Sequence, residues 1–210
     1  EVLRNLDERL RYLRNLDENK ESVLATIEVQ GAVTEELRKK IEAADTLVAV
    51  DDLYRPYRPK RRTRATIAKE KGLEPLAAQI LLQKMNTAVQ EAARDFVSDE
   101  KGVENVQEGI DGALDIIAEG ISDNAEYRTR IRQMTVKEGM LTSTAKDDTA
   151  ESVYSQYYQY AEPIKKVADH RVLAINRGEH EKFLTVKVEA PEEKIQQYLE
   201  KQIIANENPI

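Results

Sequence analysis

Between Arg55 and Arg64 the chain gathers six cations, Arg55, Arg58, Lys60, Arg61, Arg62 and Arg64, with no acid among them. Guanidinium and ammonium groups at that density neutralise phosphates and release counterions, the sequence-independent chemistry of nucleic-acid binding. Tyr54 and Tyr57 add rings that can stack on bases. Thr63 opens a helical pattern whose first N–H groups can face an anion. The same cations can instead pair with the chain's own carboxylates and stitch its helices together. Both readings stay open at the level of the residues. The net charge is −7, so any phosphate contact must come from this local patch and not from the surface as a whole.

Other chemistry is poorly supplied. Cys is absent, which removes thiolate nucleophiles, disulfides and zinc ribbons. The two histidines lie in Asp169-His170-Arg171 and Glu179-His180-Glu181, and neither has an HExxH partner. No metal or cofactor is expected, and Asp169 reads as a helix cap. There is no GxSxG elbow, P-loop or GxGxxG, so no enzyme is expected. Asp and Glu number 39, so no single carboxylate pair is informative. Tyr154, Tyr157, Tyr158 and Tyr160 read as a partly exposed connection that packs its rings on helices, with base stacking as the alternative.

These residues need elements to position them. Leu3, Leu6, Leu10 and Leu13, rejoined by Leu24 and Ile27, predict one amphipathic helix over Val2 to Val29, stopped by Gly31. It packs on its neighbours, with a dimeric coiled coil as the alternative. Helices are expected from Thr34 to Ala44 and from Thr46 to Tyr54, the latter capped by Asp45. Pro56 and Pro59 hold the basic segment extended. Thr63 caps a helix ending near Lys71, with Gly72 after it, and Pro75 sits at the first position of the next. Thr87 and Gln90 suggest a capping box. Val103, Val106, Ile110, Ala113, Leu114, Ile117 and Ile121 trace one helical stripe, in which Gly109, Gly112 and Gly120 suggest close approach of another backbone. Asp123 is expected to cap the helix that Gly139 ends. Leu141 to Ala145 and Phe183 to Glu189 read as strands that pair antiparallel. A helix from Asp169 to Arg177, with Gly178 after it, lies between them, and Pro191 starts a last helix.

The fold class expected is mainly α: multi-helical, elongated, with a small two-stranded antiparallel β element in the C-terminal third. Residues 1–139 would form a helical domain and residues 140–210 a small mixed α/β segment. No apolar run approaches the roughly 20 residues of a membrane span, no leader is visible, and a cytoplasmic setting is expected. The start at Glu1 and the end at Asn208-Pro209-Ile210 read as boundaries within a longer protein.

Several segments together resemble one family. Glu8-Arg9-Leu10-Arg11-Tyr12-Leu13, Asp51-Asp52-Leu53-Tyr54-Arg55-Pro56-Tyr57 and Lys60-Arg61-Arg62-Thr63 are similar to the Tex family of bacterial transcription accessory proteins. The stretches Ala68 to Leu76, Ala93 to Gly102, Asp169-His170-Arg171 and Arg177-Gly178 resemble it in the same order. The resemblance implies a larger protein with an RNase H-like domain, helix-hairpin-helix elements and an OB-fold RNA-binding domain, of which this chain covers the helical N-terminal part. It implies a non-catalytic scaffold that contacts RNA or DNA, and possible contact with the transcription machinery. The basic patch Arg55, Arg58, Lys60, Arg61, Arg62 and Arg64 with Tyr57 is the expected contact, and binding without the OB-fold is expected to be weak. The alternative is a purely structural or protein-interaction module whose basic stretch docks on its own acidic body or on neighbouring domains.

Overall fold

The computed structural model describes residues 1–84 and 87–205, and the chain is mainly α, with one small sheet near its C-terminus. Asn208-Pro209-Ile210 lie outside the described residues. Residues 1–129 with 204–205 form one compact unit, and Arg130–Ile203 form a second.

The first unit has two apolar centres. Helix α1 (Val2–Val29) buries Leu16, Val23 and Ile27 against α2 (Glu35–Glu42) and α3 (Leu47–Tyr54), where Ile41 and Val50 are fully enclosed. Its bounds are those the sequence predicts, and Gly31 takes the positive φ that ends it. The stripe is covered on only one half, because Leu3, Leu6, Leu10 and Leu13 remain exposed.

The second centre joins α4 (Arg64–Glu70), α5 (Glu74–Leu82), α6 (Val89–Arg94) and α7 (Val106–Asp123) around Leu73, Leu76, Ala93, Val103 and Ala113. Gly112 makes room for neighbouring side chains and not for the backbone that the sequence suggested. A Cβ built there would lie 2.4 Å from Leu73 Cδ1 and 3.3 Å from Ala68 Cβ. Gly120 faces open space and serves no such purpose.

Several caps differ from expectation. Thr46, not Asp45, caps α3 by accepting from the Ala49 N–H. Ala88 precedes α6 without a side-chain cap, so the Thr87/Gln90 capping box does not form. The α7 helix begins three residues late, at Val106, because Asn105 caps it by accepting from Glu108 N–H at 2.9 Å. Asn124, not Asp123, caps α8 (Ala125–Glu138), accepting from the N–H groups of Glu126 and Tyr127 at 3.0 Å each. Asp123 is thereby released for a different partner.

In the second unit β1 (Met140–Ala145) lies between β2 (Gln159–Pro163) and β3 (Leu184–Glu189), antiparallel to both. Ser143 sits opposite Tyr160 on one side and Val186 on the other. The two strands read from the sequence do pair, but the sheet has three strands. A single partner would leave the other edge of β1 with unpaired N–H and C=O groups, and the end of the Tyr-rich stretch fills it. Helix α9 (Asp169–His180) packs Ile175 on Leu184, and α10 (Glu192–Ile203) follows β3. Ala168 and not Asp169 occupies the cap position of α9. Gly178 stays inside α9, where a Cβ would lie 2.7 Å from Leu184 Cδ1 and 3.1 Å from Tyr154 Cδ1.

Candidate nucleic-acid interface

The basic segment begins as α3 ends. Pro56 sits inside a single 3-10 turn, Arg55–Tyr57, where its fixed φ fits and its missing N–H costs little. Arg58 then turns extended, the conformation favoured before Pro59, whereas Arg55 before Pro56 is helical, so only the second half of the segment is extended as the sequence predicted. The chain runs on to Thr63, whose Oγ1 accepts from the Thr66 N–H at 3.1 Å and so starts α4. The segment is therefore a short bridge pinned at both ends by helices.

Most of its cations meet carboxylates. Arg55 Nε donates to Asp123 Oδ1 at 2.9 Å, and Lys60 donates to the other oxygen of the same carboxylate. Lys60 also lies 3.5 Å from Glu119. Arg58 pairs with Asp51 and its guanidinium sits 5.4 Å above the centre of the Tyr54 ring. Arg62 meets Glu70 at 2.8 Å and Arg64 meets Asp115 at 3.7 Å. Arg61 is exposed and has no ion pair among the described residues.

Sequence reasoning did not single out three of those acids as partners of the basic segment, and it read Asp123 only as a cap, although a signal exists. Asp115, Glu119 and Asp123 recur every four residues, which places them in one row along α7. The row runs beside the segment in the opposite direction, so Arg64 meets Asp115 while Arg55 meets Asp123. Glu119 also accepts a 3.0 Å hydrogen bond from the Thr63 hydroxyl. That carboxylate occupies the ground before the α4 terminus, so the terminus does not offer itself to an external anion.

Burial divides the cations into two sets. The Asp123 side chain is 8% exposed, and the Lys60 side chain 26%. This pair, with Arg55, fixes the segment to α7. By contrast the Arg64 side chain is 87% exposed, and Arg58, Arg61 and Arg62 also point into solvent. Exposed ion pairs are worth only about 0–1 kcal/mol, so a phosphate can displace the carboxylates from the outward set. Tyr57 packs half-buried against the α1–α3 core, and its carbonyl accepts from Gln30 Nε2 at 2.9 Å, so part of its ring is committed to that core.

The other candidate groups fall elsewhere. Tyr154 and Tyr157 are buried with Ile175 and Leu184 in the second unit, which leaves neither ring open for stacking. His170 and His180 occupy opposite ends of α9. No group of three or more potential metal ligands exists among the described residues. No helix among them is long and apolar enough to cross a membrane.

Residues 84–209 match a family model described as Tex central region-like. The chain is 47% identical over 207 residues to a Bacillus subtilis protein named YdcI, covering 97% of this chain and 29% of that protein. It is 39% identical over 186 residues to the transcriptional accessory protein Tex of Neisseria gonorrhoeae, covering 88% of this chain and 24% of that protein. It is 26% identical over 195 residues to the S1 RNA-binding domain-containing protein 1 of Homo sapiens, covering 89% of this chain and 19% of that protein. The chain thus spans less than a third of the length of each of these relatives.

Proposed function

This chain belongs to the Tex family, and from that premise we propose that it is a non-catalytic helical scaffold in a transcription accessory protein, presenting a small basic surface to RNA or DNA. The carrying observation is the division of labour within residues 55–64. Two cations are spent on holding the segment to α7, and four remain outward on a bridge of fixed shape. That arrangement suits sequence-independent phosphate contact, with Arg58, Arg61, Arg62 and Arg64 as the contacting groups. The names of two relatives, a transcriptional accessory protein and an S1 RNA-binding domain-containing protein, support the direction of the reading. The acids that line α7 keep the local field low, so binding by this chain alone should be weak and salt-sensitive.

The test is titration of single-stranded RNA and of duplex DNA across a salt series, with the parent chain and a variant carrying Gln at Arg58, Arg61, Arg62 and Arg64. Each lost phosphate contact lowers the log–log salt slope by about 0.7 for a single strand and about 0.9 for a duplex, so four lost contacts reduce it by roughly 3 to 4. Unchanged affinity and slope would falsify the interface. A variant that loses stability instead of binding would point to the purely structural alternative.

A further inference from the structure

A second surface, wholly within the second unit, has a different chemistry. Between α9 and the loop that precedes β2 lies a groove of about 580 Å³. Its base is closed by Tyr154 and Tyr157, both buried. Its walls carry Val153, 83% exposed, and Leu173, 70% exposed. These are two of the most exposed large aliphatic side chains in the unit, and they border the same depression.

The rim is polar and carries one formal cation, Arg177. His170, Leu173, Ala174 and Arg177 share one face of α9, at spacings of three and four residues. Gln156 lines the opposite side. Two neighbouring charged groups are already engaged. Arg171 bonds Glu162 at 2.7 Å, and Glu181 accepts the Tyr154 hydroxyl at 2.9 Å. Arg177 has no salt bridge among the described residues, although Glu181 follows four residues later as the C-cap of the helix. The fold thus ties off one arginine of α9 and leaves the other beside an apolar depression.

We infer that this groove is a docking site for an acidic peptide segment of a protein partner, one that seats a large apolar side chain between Val153 and Leu173 and sets a carboxylate against Arg177. A volume of this size takes a few side chains. Arg177 on the rim favours an acidic flank by charge complementarity. Nucleic acid fits less well, because the tyrosine rings are closed beneath the surface and cannot stack on bases.

Random dodecapeptides displayed on phage are selected on the whole chain, and the strongest is synthesised with a fluorophore for anisotropy titration. The expected result is a set of peptides with Asp or Glu flanking Leu, Ile or Phe. Their affinity falls at least about tenfold on Leu173→Asp and on Arg177→Glu, and is largely kept on Arg177→Lys. Leu173 is exposed and Arg177 forms no salt bridge, so these variants should melt with the parent. If one does not, Val153→Asp serves in its place. Basic or uncharged winners, affinities equal on parent and variants, or no enrichment over uncoated support each overturn the inference. So does a single-stranded RNA oligonucleotide whose affinity depends on Leu173 while no peptide's does.

Discussion

Asp123→Ala removes the carboxylate on which two cations of the basic segment converge. The acceptor is buried, while the Arg55 side chain is 38% exposed and the Lys60 side chain 26%. Breaking a fully buried pair costs about 3–5 kcal/mol, and an exposed pair is worth about 0–1 kcal/mol. Solvent around both donors trims the upper figure, and Lys60 retains Glu119 at 3.5 Å. A loss of about 2 kcal/mol follows, which for a unit of this size lowers Tm by roughly 6–10 °C. The assay is thermal unfolding by circular dichroism, at low salt and near 1 M salt. Asn124→Ala is the matched control, because it removes a neutral cap worth about 1 kcal/mol whose effect is nearly salt-independent. The Asp123→Ala deficit should shrink as the Debye length falls to about 3 Å at 1 M. A variant melting within about one degree of the parent, or a deficit as insensitive to salt as that of Asn124→Ala, refutes a stabilising pairing of Asp123 with Arg55 and Lys60.

Three further outcomes are expected. Gly112→Ala forces a methyl against Leu73, so overpacking of about 1–3 kcal/mol outweighs the helix-propensity gain of about 1 kcal/mol, while Gly120→Ala meets nothing and stabilises. Chemical denaturation of the two variants should therefore move in opposite directions. Ile27→Ala should cost about 2–5 kcal/mol, whereas Leu6→Gln, at an exposed site on the same helix, should stay within about 0.5 kcal/mol. Glu162 accepts from the Tyr160 hydroxyl and from Arg171, and these bonds hold its carboxyl below the ordinary range. Its contribution is present above the ordinary carboxylate pKa and is lost as pH falls through the depressed value. Tm measured from about pH 6 to about pH 2 should therefore decline less steeply on the acid side in Glu162→Gln than in the parent.

Local signals were legible in the sequence where one residue decides the outcome. The end of α1 follows from Gly31, the start of α4 from Thr63, and β3 from the alternation of Leu184, Val186 and Val188. Edge strand β2 was harder to read. It carries little alternation and ends at Pro163, a residue that sheets accept at an edge or strand end. Asp123 looked like a cap because acids precede helices, yet the next residue, Asn124, can do the same work. The decisive fact about Asp123 is a pairing with residues more than sixty positions away, which no local pattern encodes. The cations themselves were visible. Which of them turn inward depends on how α7 lies against the bridge, and only the four-residue recurrence of its acids hinted at that.

Helix α1 is a continuous ladder of backbone hydrogen bonds whose two halves answer to different equilibria. Around Leu3, Leu6 and Leu10 nothing among the described residues covers the apolar stripe, so those turns hold by local helix–coil balance and open on a timescale of about a microsecond or less. Around Val23 and Ile27 the same ladder is locked to α2 and α3, and an amide is released only when that core opens. Deuterium should enter the helix as a gradient, fast at Leu6 and slow at Ile27, with its step near Leu16. A molecule that covered the bare leucines would flatten the gradient, which makes the exchange rate at those amides a direct gauge of occupancy along the helix.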